Sequence, residues 1–303
     1  MSSYKLIKTG ACSVVIGDKH FKDYFPIKKG KLLKISKINN NHNEFKNLGI
    51  IRQITEYNKY FAIPDEEMFT IRPEDKFYKH LVNITLFDAG LNIFQGNLLY
   101  FYIDDAGNID LLDSIAELQQ HYADNHWKSY KTILKFTRHI LEGLSFLHEK
   151  RICHLDIKPE NIVIDKKKKT YKIIDFGFCC LEPFTEFIND VKGTPGYFPK
   201  QLDFEKPTPW LPKIYANDII PNKNGAVPFI LNRKLIYKID SYCFGRVLYF
   251  LKYIYDDYKV YWCFNFEASK GEQLDNIIAS LTNNNVHVRL TISHCLNRYF
   301  LQN

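Results

Sequence analysis

No stretch of this sequence is both long and free of charge. The most apolar window, Val247 to Trp262, is interrupted by Lys252, Asp256, Asp257 and Lys259, whereas crossing a bilayer takes about 20 predominantly apolar residues. No membrane association is therefore expected. The opening MSSYKLIKTG lacks the basic-then-apolar pattern of a secretory leader, so none is expected. Low-complexity tracts and internal repeats are also missing. The seven cysteines, Cys12, Cys153, Cys179, Cys180, Cys243, Cys263 and Cys295, are odd in number and have no metal-ligand spacing. That pattern excludes a disulfide scaffold and a zinc finger, and points to reduced intracellular thiols. Lysine and arginine exceed acidic residues by only 41 to 34, and they are dispersed. With no zinc or helix-turn-helix signature, nucleic acid is not an expected partner. The one dense basic run, Lys166 to Lys169, lies between two apolar segments and reads as a solvated hairpin tip, with a basic docking patch as the alternative.

What remains is ordinary globular composition, 46% hydrophobic and 25% charged over 303 residues, long enough for two lobes with separate cores. Residues 1–36 read as β, with short strands at Val14–Ile16 and Leu32–Ile35. Phe45, Leu48, Ile51 and Ile54 mark an amphipathic helix from His42 to Tyr57. Two further strands are expected around Leu81–Phe87 and Leu98–Ile103. After Gly107 the pattern turns helical, with the stripe Ile133, Phe136, Ile140, Leu144 and Leu147. A short β block follows at Asn161–Ile164 and Tyr171–Ile174, and then mainly helix. Tyr242 to Ile254 is apolar nearly all round, as in a helix buried in a core. The fold class is α+β and bilobal: a small β-rich lobe of about residues 1–103, a hinge at about 103–107, and a larger helical lobe of about 108–303, with room for a ligand in the cleft between lobes.

The chemistry-bearing segment is His154-Leu155-Asp156-Ile157-Lys158-Pro159-Glu160-Asn161, followed by Asp175-Phe176-Gly177. The first closely resembles the catalytic loop of eukaryotic protein kinases, and the second that family's metal-binding tripeptide. Gly193-Thr194-Pro195-Gly196-Tyr197 is similar to the segment that presents the substrate. Asp240, read as opening the buried helix, together with Gly245 and Arg289, matches further family positions. The resemblance implies Mg-ATP as co-substrate and protein serine or threonine as acceptor. Asp156 would accept or orient the acceptor hydroxyl, and Lys158 would touch the transferring phosphoryl group. Asn161 and Asp175 would ligate magnesium through hard oxygens. The Thr194 hydroxyl would bridge Asp156 and Lys158. Lys34 would reach the α- and β-phosphates, with Glu44 as its helix partner and Glu56 as the alternative. Gly10 and Val15 would lie over the nucleotide, the backbones of Asp104 and Ala106 would meet adenine, and Asp110 the ribose. His154 is expected to pack rather than act as a base.

The sequence departs from the family pattern in several places. Only Gly10 remains of the usual glycine-rich loop, in Gly10-Ala11-Cys12-Ser13-Val14-Val15. Phe198-Pro199-Lys200-Gln201 carries no glutamate for Arg289, with Glu205 as a replacement, and residues 203–236 read as an insertion. Leu155 stands where regulated members carry an arginine that pairs with a phosphate on the activation loop, so a phosphate on Thr185 would find only Lys192. Activity independent of loop phosphorylation is expected. Cys179 or Cys180 is a candidate for a thiolate beside Lys172 or Lys158. Lys158-Pro159-Glu160 is the serine/threonine form of the loop. The alternatives are a pseudokinase scaffold that binds ATP or protein partners without turnover, and a small-molecule phosphotransferase. A cytoplasmic location is expected (host cytoplasm or virion for a viral member). The Asn, Lys, Ile, Tyr and Phe bias fits a compact viral or protist member from an AT-rich genome.

Overall fold

A computed structural model describes residues 8–9, 13–17, 21–26, 28–37, 49–52, 57–63, 65, 67–89, 96–107, 109–120, 127, 129–182, 193–194, 196–199, 233–260 and 268–301. The chain divides into two compact units, Met1–Ala106 and Gly107–Asn303. The architecture is α+β, with antiparallel sheets and helices in both units.

In the first unit, strands β1 (Lys8–Thr9), β2 (Ser13–Ile16), β3 (Lys31–Lys37), β4 (Phe69–Ile71) and β5 (Leu98–Asp104) form one sheet in the order β1-β2-β3-β5-β4. Helix α1 is the single turn Tyr57–Tyr60, and α2 is Lys76–Ala89. Side chains alternate across a strand. Val15, Lys34 and Phe101, cross-strand neighbours in register, therefore share one face. The other face carries Val14, Ile16, Leu33, Ile35, Tyr100 and Tyr102, packed by Phe21, Phe25 and by Phe77 and Leu81 of α2. Burying each of those α2 side chains stabilises by roughly 1.5–3 kcal/mol.

Helix α2 corrects the expected strand at Leu81–Phe87. The β-branched run there suggests a strand, but the apolar positions that meet the core are Phe77 and Leu81, four apart, with Tyr78 and Val82 beside them. That is helical spacing. The start is set by Asp75, whose carboxylate accepts the Arg72 N–H at 2.8 Å and whose carbonyl accepts the Tyr78 N–H at 3.0 Å. Strand β4, three residues long, escaped the sequence reading. The expected helix from His42 to Tyr57 lies largely outside the described residues.

In the second unit, β6 (Ile109–Asp110), β8 (Ile162–Asp165) and β9 (Thr170–Ile173) form a sheet, with the Lys166–Lys169 turn at its hairpin tip. Strand β7 (Ile152–Cys153) pairs with β10 (Cys180–Leu181). The helices are α3 (Leu111–Gln120), α4 (Tyr130–Glu149), α5 (Arg233–Val260), α6 (Ala268–Leu281) and α7 (Ile292–Leu296). Ser129 caps α4 by accepting the Thr132 N–H at 3.3 Å, and the expected stripe from Ile133 to Leu147 is buried throughout. Helix α5 begins at Arg233, two turns before Asp240; Asp240 does not open it, and the end of the expected insertion is its first turn. Gly245 lets α5 approach α6, since a Cβ there would lie 2.6 Å from Thr282 and 2.9 Å from Leu281.

Candidate active site

The segment between β7 and β8 has little regular structure, and buried side chains hold it. Asp240, 0% exposed on α5, accepts the backbone N–H of His154 at 2.8 Å and of Leu155 at 2.7 Å, and meets His148 Nε2 at 2.9 Å. Burial alone would raise the Asp240 carboxyl. The His148 hydrogen bond, the neighbouring imidazoles of His148 and His154 and the His154 N–H outweigh that and hold it below the usual carboxylate range. Leu155 is 1% exposed and has φ +65°, a region costly for a side chain of its size. The bond to Asp240 fixes it there.

His154 packs against Phe176, ring centroids 5.2 Å apart. Its Nδ1 accepts the Asp156 N–H at 3.3 Å, so Nε2 carries the proton and donates it to the Ile174 carbonyl at 3.1 Å. Both ring nitrogens are thereby committed to the backbone, which suits a packing residue. His148, Cys153 and Asp240 bring three potential ligand atoms within 4.8 Å of one another. However, both Asp240 oxygens already take backbone N–H groups, and burial pushes the Cys153 thiol well up. The group is packing, not a metal centre.

Asp156, Lys158 and Thr194 converge. The Thr194 hydroxyl donates to Asp156 Oδ1 at 2.5 Å, and Lys158 Nζ donates to Thr194 Oγ1 at 2.8 Å and lies 3.0 Å from Asp156 Oδ2. Asn161 Nδ2 donates to the Asp156 carbonyl at 2.8 Å and to Oδ2 at 2.9 Å. With its amide nitrogen spent, Asn161 keeps its side-chain oxygen for a cation. A carboxylate offers about four lone-pair sites, so with two donors on Oδ2 and one on Oδ1, Asp156 retains room at Oδ1. Asp175 is exposed and left-handed, φ +65°. The preceding Ile174 N–H donates to the Asn161 carbonyl at 2.9 Å, and a carboxylate and a side-chain amide oxygen are hard-oxygen ligands of the kind that magnesium takes. Gly193 closes the segment: a Cβ there would sit 2.3 Å from the Phe198 ring.

Residues 99–208 match the protein kinase domain model. Over 44% of its length the chain is 31% identical to the probable serine/threonine-protein kinase HSL1 of Saccharomyces cerevisiae, covering 8% of that protein. It is 39% identical over 29% of its length to the phosphorylase b kinase gamma catalytic chain of Bos taurus, covering 21% of it. With the mitosis inhibitor protein kinase SWE1 of Candida albicans it shares 26% identity over 68% of its length and 16% of that protein. Over residues 99–208 the chain is thus similar to eukaryotic-type protein kinase domains. It spans about a fifth or less of these relatives' lengths.

In the first unit, Lys34 and Val15 lie on the sheet face opposite α2. Asp104 ends β5 and its side chain pairs with Lys31 at 2.7 Å. Ala106 is buried. Asp110 caps α3, one carboxylate oxygen accepting the Asp113 N–H at 2.9 Å. Gly10, Glu44, Glu56, Glu205, Thr185 and Lys192 lie outside the described residues, as does most of 203–236. Cys179 and Cys180 are buried, Cys179 donating to the His154 carbonyl at 3.6 Å, and Lys158 is engaged with Asp156 and Thr194. This corrects the expectation of a thiolate beside Lys158. Sequence reading gave His148 no role, although its place in the last turn of α4 was a usable signal. No helix among the described residues is long and apolar enough to cross a membrane.

Proposed function

We propose that this chain is a serine/threonine protein kinase that transfers the γ-phosphoryl group of Mg-ATP to a protein hydroxyl without needing phosphorylation of the segment after Gly177. The contact set Asp156–Lys158–Thr194 carries the reading. Phosphoryl transfer needs an in-line hydroxyl and charge neutralisation more than covalent help. Asp156 receives the acceptor hydroxyl at the open side of Oδ1 and takes its proton. Thr194 fixes the carboxylate's orientation from the substrate-presenting segment, and Lys158 is placed to meet the transferring phosphoryl group. Asn161 Oδ1 and the Asp175 carboxylate would hold magnesium, which supplies positive charge against the phosphates.

Lys34 serves the α- and β-phosphates, with Glu44 its partner, and Gly10 and Val15 cover the nucleotide. Backbone groups of Asp104 and Ala106 meet adenine, and Asp110 meets the ribose hydroxyls. Residues 1–103 form the small lobe, about 103–107 the hinge and 108–303 the large lobe, with an insertion near 203–236. Free thiols, among them buried Cys153, Cys179, Cys180, Cys243 and Cys295, support a reducing, cytoplasmic setting. Phosphate independence rests on buried, uncharged Leu155 and its tether to Asp240.

The test is magnesium-dependent labelling of casein by the purified chain and its Asp156→Ala variant. Labelling by the parent alone supports the reading. Binding of ATP with no turnover by either protein would replace it with the scaffold, and turnover on small molecules alone with the small-molecule enzyme.

A further inference from the structure

Three chain segments of the first unit meet around one carboxylate that the reaction does not use. Asp65, between α1 and β4, accepts Lys28 Nζ on Oδ2 at 2.8 Å and lies 2.8 Å from Lys31 Nζ through Oδ1. The same Lys31 ammonium reaches Asp104 Oδ1 at 2.7 Å. The Asp65 N–H donates to the Tyr102 carbonyl at 2.6 Å, and the Asp65 carbonyl accepts the Arg52 guanidinium. Backbone bonds complete the tie: Asp104 N–H to the Ile63 carbonyl at 3.3 Å, and Asp105 N–H to the Gly30 carbonyl at 2.9 Å. Lys28 also stands 4.5 Å above the Tyr102 ring. Residues 28–31, Ile63 with Asp65, and residues 102–105 are thus bound to one another at the end of β5 that leads to Ala106.

We propose that Asp65, acting through Lys31, is a positioning residue that holds the Asp104–Ala106 backbone in the register that binds the adenine ring. This rests on the reading of Asp104 and Ala106 as adenine contacts. A strand end held only by its ladder frays, and a frayed end offers the ligand a competent geometry for only part of the time, which weakens apparent affinity in proportion. Two lysines on one half-buried carboxylate, one of them shared with Asp104, remove that freedom. Consistent with this, hydrogen bonds from both lysines outweigh burial and keep the Asp65 carboxyl below its usual range, so the clamp stays charged across neutral pH. Asp65 belongs to the first unit and Asp156 and Asp175 to the second, so its loss should act on nucleotide affinity and leave the chemical step alone.

The experiment compares parent, Asp65→Asn, Lys31→Met and Lys31→Arg, with Asp75→Asn as a variant that unsettles the start of α2 in the same unit without touching the clamp. Two quantities are measured: the dissociation constant for Mg-ATP by calorimetry, and hydrogen exchange of the Asp104 and Asp105 amides. Asp65→Asn and Lys31→Met are expected to raise the constant about 5- to 20-fold and to speed exchange at both amides. Lys31→Arg should restore affinity, Asp75→Asn should leave it unchanged, and kcat at saturating ATP should stay within about twofold of the parent. Unchanged affinity in Asp65→Asn and Lys31→Met despite faster exchange would overturn the proposal, as would an equal loss in Asp75→Asn. Unchanged exchange would overturn it too. If the parent binds no nucleotide at all, the kinase reading falls, while the exchange measurement still decides whether the clamp orders the strand end.

Discussion

Replacing Asp240 by asparagine puts the strongest demand on this structure. The carboxylate accepts two backbone N–H groups, of His154 and Leu155, and also meets His148 Nε2, all while fully buried. An asparagine of the same shape offers one oxygen and one NH2 group, so at least one backbone donor faces another donor. Leaving one buried donor unsatisfied costs about 1–3 kcal/mol, and breaking a buried charged hydrogen-bond set reaches about 3–5 kcal/mol. A net loss of about 2–4 kcal/mol is expected, since part of the site can relax. The loss should not be confined to stability. Leu155 stays at φ +65° only because its N–H is held, and strain of that kind, about 1–3 kcal/mol, is released once the tether fails. Asp156 is the next residue, so kcat should fall with it. The pH dependence has a defined sign. The folded Asp240 carboxyl is held below its unfolded value of about 3.9. Its contribution is fully present above that value and disappears as pH falls through the folded one. The stability deficit of the variant, read by urea unfolding between pH 7 and pH 3, should therefore narrow in acid. A variant within 0.5 kcal/mol of the parent at pH 7 by that method, or a deficit that grows in acid, would refute the reasoning (about 0.5 kcal/mol is the usual range for an inconsequential site).

Thr194→Val should lower kcat by about 10- to 100-fold while Thr194→Ser stays near the parent, because the hydroxyl orients Asp156 and the methyl group does not; steady-state assays on casein read this. Asp175→Ala should abolish turnover and weaken Mg-ATP binding, whereas Asp156→Ala should abolish turnover with binding intact, so equal affinity losses by calorimetry would reverse the assigned roles. Lys34→Met and Glu44→Gln should each lower turnover by about 10- to 1,000-fold and combine non-additively if the two pair; full activity in Glu44→Gln with loss in Glu56→Gln would move the partner. Phosphatase-treated protein and Thr185→Ala should retain the turnover of the untreated chain, and a large loss in both would end the claim of phosphate independence.

Much of the second unit was legible because its signals are local and redundant. The stripe from Ile133 to Leu147 has one periodicity over about four turns, and every member is buried in α4. The Lys166–Lys169 tip is bracketed by two strands whose alternation is plain, and they pair as β8 and β9. The grouping of Asp156, Lys158 and Thr194 was an expectation from the family resemblance of their two segments. The first unit was less legible where short apolar runs carry two readings. Leu81–Phe87 satisfies a strand by composition and a helix by position. What decides is the sheet face carrying Ile16, Leu33 and Tyr102, which needs Phe77 and Leu81 to cover it. That requirement is tertiary and leaves no mark within the segment. Asp65 was illegible for the same reason: nothing near it in sequence announces Lys28, Lys31 or Tyr102.

Leu155 is a residue whose type is plain in the sequence while its backbone state is not. Its lack of charge removes a phosphate's partner, and that much follows from residue type. Exposure of 1% fits a buried filler and a position relieved of regulation alike. The backbone joins them. A leucine at φ +65° is held against its own preference, and Asp240 Oδ1 at 2.7 Å supplies the restraint from inside the core. The bond from a buried carboxylate is not screened as a surface phosphate–arginine pair is, and it is present whenever the core is folded. The proposed phosphate independence then requires the order of the loop carrying Asp156 to follow the folding equilibrium of the second unit. In such an arrangement core substitutions at Asp240 or His148 should change activity and stability together, whereas surface changes in the segment after Gly177 should change neither.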